Sequence, residues 1–426
     1  MSKWQEVYLN EAFDIGSGLS KPAEDFGSGF PFLSFKEIFN NFFVPEDLPE
    51  LVESSEEERD KCSVKKGDVF LTRTSETVKE LGMSCVALKD YENATFNGFT
   101  KRLRPNSDFE VVPEYAGYYF RSSKFRNEVT ALSSASTRAS LNNEMLGRLK
   151  IVLPSKKEQE EIAAVLICLD RKISNLRQQN ETLERIAQTL FKHWFVDFEF
   201  PNEDGKPYKS SGGEMVRSEL GEIPIGWRVL TLKEICETIY RYPQFYGMDK
   251  SDKGVPVIRG EHLLPNGKIS NDFSDYWFVS NEFSEKFPRT ILNKFDVVLS
   301  VRGSVGNYSW VGDQHIGVQI SPNTIRLSAN PKILHDCLLY PFLKGCNFKN
   351  RLLQTVSSSA VPAINASEFK TFDFIIPTLS VQEQISPLFR STYQKIDANE
   401  RQIQTLSKTR DVLLPKLMSG KLRIKN

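Results

Sequence analysis

Two long stretches of the chain carry apolar residues in alternating steps of three and four. This spacing predicts helices with a heptad seam, as in a coiled coil, and not surface helices with a single apolar face. The first seam comprises Ile162, Leu166, Leu169, Ile173, Leu176, Asn180, Leu183, Ala187, Leu190 and Trp194. The second, more polar seam comprises Ile385, Phe389, Thr392, Ile396, Asn399, Ile403, Leu406, Arg410, Leu413 and Leu417.

Several residues in or beside these seams need a separate interpretation. Asn180 is either a buried amide that fixes the register of the helix pair or a solvent-facing amide, and the sequence favours neither. Pro387 is predicted to kink the second helix, because proline lacks the N–H that the helix needs. Trp194, Phe195 and Phe198 form an aromatic end to the first helix that is predicted to need cover from a partner.

Outside the helical stretches, the pattern changes to short β-like runs, such as residues 69–72 and 297–300, bounded by Gly, Pro, Asn and Asp. Amphipathic segments such as residues 114–120 lie between these runs. The mixture predicts an α+β fold.

Residues 223 positions apart match along the chain. The matching pairs include Trp4 with Trp227, Phe125 with Phe348, Pro154 with Pro377, Gln159 with Gln382, and Leu183 with Leu406. So many matches at one distance indicate a tandem duplication. We therefore expect two similar globular domains, each followed by a long coiled-coil helix.

The repeat and a segment rich in Gly, Pro and Ser divide the chain into five parts. The predicted parts are a first mixed domain at 1–153, a central helix at 154–200, a linker at 201–226, a second mixed domain at 227–376, and a C-terminal helix with its tail at 377–426.

Composition adds limits on location and chemistry. The longest apolar run, at 162–169, is far shorter than the ~20 residues of a membrane span, and the first residues form no apolar signal core. We therefore expect a soluble, cytoplasmic protein. The chain carries 55 basic and 55 acidic residues, but residues 46–60 are strongly acidic and 61–150 are basic on balance. A basic face that binds nucleic acid is compatible with this distribution.

Catalytic and cofactor motifs are missing from the sequence. The six cysteines form no Cys-x-x-Cys pair, so no zinc site is predicted. No Gly-Lys pair is followed by Ser or Thr, as a phosphate-binding loop requires. The Asn/Asp-Pro-Pro-Tyr/Phe loop of amino-methyltransferases is absent too. We expect a protein that is not an enzyme and binds no cofactor or metal.

Four segments resemble one known family along the whole chain. They are LFKHWFVDF at 190–198, SELGEIPIGW at 218–227, QEQI at 382–385 after Pro377, and LLPKLMSGKL at 413–422. With the alternating layout, they make the chain similar to the specificity subunits of type I restriction-modification systems. One departure is the start of the chain, where Trp4 lacks the Leu-Gly-x-Ile-Pro lead-in found before Trp227.

The resemblance implies a role and a set of partners. Each mixed domain would be a target-recognition domain that reads one half of a bipartite double-stranded DNA target. The two helices would form an antiparallel coiled coil that holds these domains apart and docks two methylation subunits. The two repeats would then be related by a pseudo-two-fold axis. Those partners would use S-adenosylmethionine, while restriction and translocase subunits would use ATP and Mg²⁺.

DNA contact needs cationic or polar side chains on exposed loops. The loop after residue 299 matches a recurrent loop of the family, and its first-repeat counterpart after residue 71 is looser. The candidate DNA-binding residues are Arg73, Thr74, Lys101, Arg102, Arg138, Arg259, Arg302, Ser304 and Arg326. For each cation, an ordinary surface position is the alternative, and phosphate contact is favoured over base contact.

Two other functions remain open at this point. The neutral net charge is compatible with a coiled-coil scaffold that binds proteins. A recognition module of a single-chain restriction–methylation enzyme is less well supported, because no catalytic region is present. A neighbouring methyltransferase gene would separate these alternatives.

Overall fold

The computed structural model describes residues 4–74, 80–133, 140–243, 250–264, 266–355, 364 and 366–424. Arg138, a predicted DNA-binding residue, lies outside the described residues. The chain forms two compact units: unit 1 comprises Met1–Ser174 with Thr405–Asn426, and unit 2 comprises Asn175–Gln404. Each unit contains one mixed domain and a part of each long helix.

Unit 1 contains a four-stranded sheet in the order β2-β8-β5-β6, a three-stranded sheet in the order β4-β3-β7, and the pair β1-β9. Its strands are β1 (Gln5–Tyr8), β2 (Phe13–Ser17), β3 (Phe26–Leu33), β4 (Leu51–Val52), β5 (Val69–Thr72), β6 (Ser84–Val86), β7 (Thr95–Phe96), β8 (Thr100–Pro105) and β9 (Lys150–Leu153). Its short helices are α1 (Leu9–Ala12), α2 (Phe35–Asn40), α3 (Glu56–Lys61), α4 (Pro113–Tyr119), α5 (Ser123–Ser133) and α6 (Asn143–Gly147). The first long helix, α7 (Lys156–Phe191), starts in this unit.

Unit 2 repeats this arrangement after a hairpin formed by β10 (Met215–Ser218) and β11 (Gly221–Pro224). Its further strands are β12 (Arg228–Thr231), β13 (Cys236–Arg241), β14 (Val255–Ile258), β15 (Trp277–Val279), β16 (Val297–Ser300), β17 (Tyr308–Trp310), β18 (Gln319–Ile320), β19 (Thr324–Ala329) and β20 (Asp373–Ile376). Its helices are α8 (Leu232–Ile235), α9 (Asn281–Glu285), α10 (Leu339–Gly345), α11 (Phe348–Gln354), α12 (Ala366–Phe369) and the second long helix, α13 (Leu379–Met418).

The sheets confirm the internal repeat. The orders β13-β19-β16-β17 and β15-β14-β18 reproduce those of unit 1, strand for strand. In the terminal strand pairs, Gln5 lies opposite Leu153 in unit 1, and Arg228 lies opposite Ile376 in unit 2. Both pairs of positions are 223 residues apart, as the sequence predicts. The predicted α+β class with two similar mixed domains is therefore confirmed.

The apolar run of each central strand is explained by burial on both faces. In β5, Val69 and Leu71 join one core, which also includes the start of α7, while Phe70 joins a second core under the three-stranded sheet. Side chains alternate across a strand, so a strand between two cores must be apolar at every position. β16 is buried along its length in the same way.

A glutamine at the start of each long helix connects the helix to its domain. Gln159 donates to the carbonyl oxygens of Glu110 and Pro154 at 2.9 and 3.0 Å. Gln382 donates to those of Ile333 and Pro377 at 2.8 and 3.0 Å. All three pairs of positions are again 223 residues apart, so the duplication extends to individual hydrogen bonds.

The two long helices run antiparallel within each unit. In unit 1, Arg410 donates to Asp170 at 2.7 Å, and Arg423 lies 3.5 Å from Glu158. In unit 2, Asn399 donates to Asn180 at 2.8 Å. Residues with increasing numbers along α7 therefore contact residues with decreasing numbers along α13 and its C-terminal extension. The predicted antiparallel pair is therefore confirmed.

The predicted seam faces inward. Its buried members are Ile162, Leu166, Ile173, Leu176, Asn180, Ala187, Ile385, Phe389, Ile396, Asn399, Ile403 and Leu417, and its partly buried members are Leu169, Leu183, Leu190, Trp194, Thr392, Leu406, Arg410 and Leu413. Asn180 is therefore the buried amide of the two alternatives. These side chains pack within the chain, so a partner would have to dock on other helix faces.

Three local expectations differ from the structure. α13 is continuous through Pro387; this residue is exposed, so water can satisfy the carbonyl group it leaves free. α7 ends at Phe191 and is followed by a π-helical turn, Lys192–Val196. Phe195 and Phe198 are buried against Trp227, with ring centroids 6.0 and 5.4 Å from it, so they need no partner to cover them.

The segment predicted as a linker is more ordered than its composition indicates. It contains the β10–β11 hairpin, and Tyr208 stacks on Phe200 with ring centroids 4.6 Å apart. Phe200 in turn stacks on Trp227 at 5.1 Å. These aromatic contacts attach the segment to the core of unit 2.

The described helices were also compared with the length and apolar character of a membrane span, and none of them meets both requirements.

Candidate nucleic-acid interface

A buried ion pair holds together the centre of each four-stranded sheet. In unit 2, the Arg326 Nε donates to Asp296 at 2.7 Å, and both side chains are almost fully buried. Burial raises the pKa of Asp296, and the nearby Arg326 opposes that shift. In unit 1, Arg104 donates to Asp68 at 2.7 Å from both of its contacting nitrogens. The carboxylates of both pairs are buried, so the bonds to Arg104 and Arg326 are made inside the domains.

Two of the predicted DNA-binding residues lie at equivalent positions on the central strands β8 and β19, although only Arg326 belongs to an ion pair. Arg102 lies opposite Phe70 and Arg326 lies opposite Val298, so the two arginines are equivalent in the repeat. The Arg102 guanidinium donates to the backbone oxygen of Ser63 at 2.9 Å. Both arginines therefore direct their hydrogen bonds into their own domain.

Arg73, Thr74 and Lys101 come together at one end of the four-stranded sheet of unit 1. The Arg73 N–H donates to the Phe99 oxygen at 3.0 Å, which places the residue beside the turn between β7 and β8. Thr74 extends the strand through an isolated bridge to Ser140. Phe99 itself is 60% exposed, an unusual position for a phenylalanine. This end of the sheet therefore combines two cations with an exposed aromatic ring.

Arg302 and Ser304 lie at the equivalent end of the sheet in unit 2. They belong to the tight connection between β16 and β17, in which Gly303 and Gly306 adopt positive φ values of 77° and 79°. The Ser300 hydroxyl donates to the Arg302 oxygen at 2.9 Å and fixes the start of this turn. The Arg302 side chain is exposed. The turn thus has a hydrogen-bonded backbone and an exposed cationic side chain, as expected of a recognition loop.

Arg259 is held on the three-stranded sheet of unit 2. Its guanidinium lies 4.4 Å from the ring centroid of Trp277, donates to the Asp275 oxygen at 2.6 Å, and forms a salt bridge with Glu261. The Lys250 ammonium lies 3.5 Å from the same ring centroid. The stacking contact, the hydrogen bond and the salt bridge occupy most of the Arg259 guanidinium. A stacked guanidinium keeps its positive charge, however, and can still attract a phosphate.

Arg241 is a cation that the sequence prediction missed. It ends β13, its pKa is lowered by burial and by the nearby Arg302, and its Nε donates to the Pro322 oxygen at 3.1 Å. A comparison of the two repeats position by position could have revealed it, because its counterpart Ser17 lies beside Lys101.

Among the described residues, no group of three or more His, Cys, Asp or Glu side chains is placed to hold a metal ion. The free cysteines Cys85, Cys236 and Cys337 are buried, and burial raises the pKa of each thiol. A raised pKa keeps these thiols protonated and poorly nucleophilic. They act as small apolar residues of the cores.

Comparison with known proteins gives one consistent result. The family model described as the type I restriction modification DNA specificity domain matches residues 1–185 and again residues 224–408. The two matches start 223 residues apart, in agreement with the internal repeat.

Individual relatives agree with that match. The chain is 29% identical to the type I restriction enzyme MjaIX specificity subunit of Methanocaldococcus jannaschii, over 99% of this chain and 94% of the relative. It is 24% identical to the HindI specificity subunit of Haemophilus influenzae, over 99% and 100%. The fold is similar to the crystal structure of a type I system S subunit from M. genitalium, with a TM-score of 0.59, 16% identity, and coverage of 97% and 96%.

Proposed function

Because the chain belongs to the family of type I restriction-modification DNA specificity subunits, we propose that it binds a bipartite DNA target, with one half read by each mixed domain. The observation that carries this proposal is the repeat of the interface. Each unit places cations at the same end of its four-stranded sheet, beside a loop with exposed side chains. Two equivalent surfaces on one chain suit two half-sites on one duplex.

The proposal assigns different roles to the candidate residues according to their contacts. We assign DNA contact to Arg73, Thr74, Arg302 and Ser304, which lie at the ends of β5 and β16. Arg102 and Arg326 instead stabilise their sheets, because their guanidinium groups already bind internal acceptors. Arg259 would contribute charge near the second half-site while stacked on Trp277.

A specificity subunit acts with DNA and with the other subunits of its restriction-modification system, and it recognises the target without catalysing the reaction. We further propose that two methylation subunits dock on the outward faces of the long helices. Exposed apolar side chains on these faces include Ile186, Leu388 and Val412. S-adenosylmethionine, ATP and Mg²⁺ would be bound by the methylation and restriction or translocase subunits, and this chain would bind no cofactor.

The test begins with the target. The chain is co-expressed with its methylation subunit, modified adenines are mapped in the host genome, and the deduced target is used as a duplex in binding measurements. Arg302→Ala in the purified complex is expected to cost about 1–3 kcal/mol of binding free energy. Arg217→Ala, an exposed arginine of the β10 hairpin, is the control and should change little. If Arg302 contacts a base, its loss would relax specificity at one position of the target. If it contacts a phosphate, its loss would weaken binding to all sequences equally.

Two results would contradict the proposal. One is a wild-type complex that binds the deduced target no more tightly than unrelated DNA. The other is an Arg302→Ala complex with unchanged affinity, which would remove the β16–β17 turn from the interface.

A further inference from the structure

Two pairs of like-charged side chains lie at the same end of the two four-stranded sheets. In unit 1, Lys101 lies on β8, and Arg73 directly follows β5. In unit 2, Arg241 ends β13, and Arg302 lies two residues beyond β16. Burial lowers the pKa of Lys101 and Arg73 lowers it further, just as burial and then Arg302 lower the pKa of Arg241. Each pair is therefore within electrostatic range.

The strand register shows that the two repeats place a cation at the same point by different means. Ser17 of β2 lies opposite Lys101 of β8, whereas Arg241 of β13 lies opposite Ile325 of β19. β2 corresponds to β13 and β8 corresponds to β19. The charge has thus moved to the neighbouring strand while remaining at the same cross-strand site. This indicates that the site needs a positive charge and not one particular side chain.

Neither cation is neutralised within the part of the chain that the structure describes. Lys101 is only 8% exposed, and its ammonium group donates to the Ser17 hydroxyl at 2.8 Å. The Nη2 of Arg241 is buried without a hydrogen-bond partner among the described residues. Burial of a cation without a counter-charge costs free energy, because the charge loses its hydration. An anion supplied from outside would offset that cost.

Two other cations of the same sheets are neutralised by acids. Arg104 and Arg326 each contact a carboxylate at 2.7 Å, as described above. The domains therefore pair internal cations with acids close to this site. Arg104 lies three residues after Lys101, and Arg326 directly follows the residue that lies opposite Arg241. Among the described residues, Lys101 and Arg241 bond to a hydroxyl and to a backbone carbonyl and not to a carboxylate.

We propose that Lys101 in unit 1 and Arg241 in unit 2 each bind one backbone phosphate of duplex DNA, at equivalent points of the two half-sites. The proposal rests on the DNA-binding function above and extends it to residues that position the duplex without reading its sequence. A phosphate supplies the missing negative charge and several acceptor oxygens. Contacts of this kind set the register of a protein on DNA.

The test measures how affinity depends on salt. The complex with its methylation subunit is titrated with a fluorescent 30-base-pair duplex of unrelated sequence at several KCl concentrations, and then with the target duplex. Arg241→Gln is expected to reduce the slope of log K against log salt by about 0.9 and to weaken binding about eightfold at 0.1 M salt, equally on both duplexes. Lys101→Gln should have the same effect, and Arg217→Gln should have none.

The sharpest control moves the positively charged side chain to the neighbouring strand. Arg241→Ser combined with Ile325→Lys rebuilds in unit 2 the arrangement found in unit 1, and it should restore the salt slope, as should the single change Arg241→Lys. A purely structural role for Arg241 would not be rescued by a lysine on the neighbouring strand. Thermal unfolding of each variant verifies that it is folded.

The possible outcomes separate the two proposals. An unchanged slope for Arg241→Gln overturns the phosphate contact, and so does a loss confined to the target duplex, which would indicate a base contact. If the wild-type complex does not distinguish its target from the unrelated duplex, the proposed recognition function fails, whatever the variant slopes are.

Discussion

At the scale of single residues, Arg121 shows how a cation can stabilise a domain without an acid. It donates to the carbonyl oxygens of Ile38, Phe39 and Asn41 at 2.8–2.9 Å, at the C-terminal end of α2, and to that of Ser84 at 2.7 Å. Burial lowers its pKa to about 10. A positive charge at this end of a helix also interacts favourably with the helix dipole.

Arg121→Met should therefore destabilise unit 1 by about 3 kcal/mol, because several buried carbonyl groups would lose a charged donor. Urea unfolding followed by tryptophan fluorescence measures the change. Arg148→Met, at an exposed arginine of the same unit, serves as the control and should alter stability by less than about 1 kcal/mol. Equal effects of the two substitutions would show that the Arg121 hydrogen bonds do not stabilise the fold.

His315 links the stability of unit 2 to pH. It is buried, its Nε2 lies 3.2 Å from the Ser270 oxygen, and burial lowers its pKa to about 4. The unfolded chain binds the proton near pH 6.5, so the stabilisation is complete above that pH and is lost as the pH falls toward 4. The loss attributable to this group is about 3 kcal/mol over that interval.

The prediction is that His315→Gln flattens the fall in stability between pH 6.5 and 4. The free energy of unfolding, measured at half-unit steps of pH, checks it. His193→Gln, which replaces an exposed histidine of the π-helical turn, is the matched control. A wild-type profile that is flat in this interval would contradict the prediction.

Residue roles were the part of the site that the sequence could least predict. Arg302 and Arg326 both stand next to β-like runs, and nothing local distinguishes them. Arg326 is internal because Asp296, thirty residues earlier in the chain, directly precedes β16, the strand that pairs with the strand of Arg326. A single sequence gives the run of each strand but not the partner that faces each side chain. Arg241 was not predicted because its position opposite Ile325 depends on the pairing of β13 with β19.

At the scale of elements, a polar cluster interrupts the helix pair of unit 2. The Asn180 Nδ2 donates to Glu400 at 2.7 Å, and the Asn399 Nδ2 donates to Asn180 at 2.8 Å. Lys268, outside the helices, also binds Glu400. A buried amide pair of this kind specifies register, since any shift along the helices would leave its groups without partners.

Asn180→Leu should therefore destabilise the protein by about 1–3 kcal/mol, because the amide of Asn399 and the carboxylate of Glu400 would lose a buried partner. Combining it with Asn399→Leu should recover part of that loss, since an apolar pair replaces an apolar–polar mismatch. A double-mutant cycle of unfolding free energies measures the coupling. Strictly additive effects would show that the two amides do not act as a pair.

The elements themselves were predicted better than their ends. Periodicity predicted both long helices and their inward faces. Heptad spacing can be read from the local sequence, and each helix packs against the other along its length. The π-helical turn after Phe191 was not predictable from the same pattern, which continues to Trp194. The turn lies where Phe195 and Phe198 insert beside Trp227, a contact between residues about thirty positions apart.

At the scale of the whole molecule, the duplication gives the two domains equivalent beginnings. In unit 2, Trp227 packs on Phe198 and Phe200, which follow the first long helix. In unit 1, the Trp4 ring lies under the Arg423 guanidinium at 5.4 Å and beside Gly420, both of which follow the second long helix. Each domain therefore starts against the end of a long helix, although only one of the two connections is covalent.

This equivalence predicts that a circularly permuted chain folds. Residue 426 is joined to residue 1 by a flexible linker of about ten residues, which spans up to roughly 33 Å when extended. The chain is opened between Ser211 and Gly212, which are exposed and lie in a turn. Such sites tolerate new termini because little buried backbone is disturbed. We expect the permuted chain to assemble with its methylation subunit and to bind the target duplex within about tenfold of the wild-type affinity.

A control opened between Val298 and Leu299, in the buried strand β16, should not fold. Failure of the first permutant together with a folded control would show that the terminal contact at Trp4 is not equivalent to the one at Trp227.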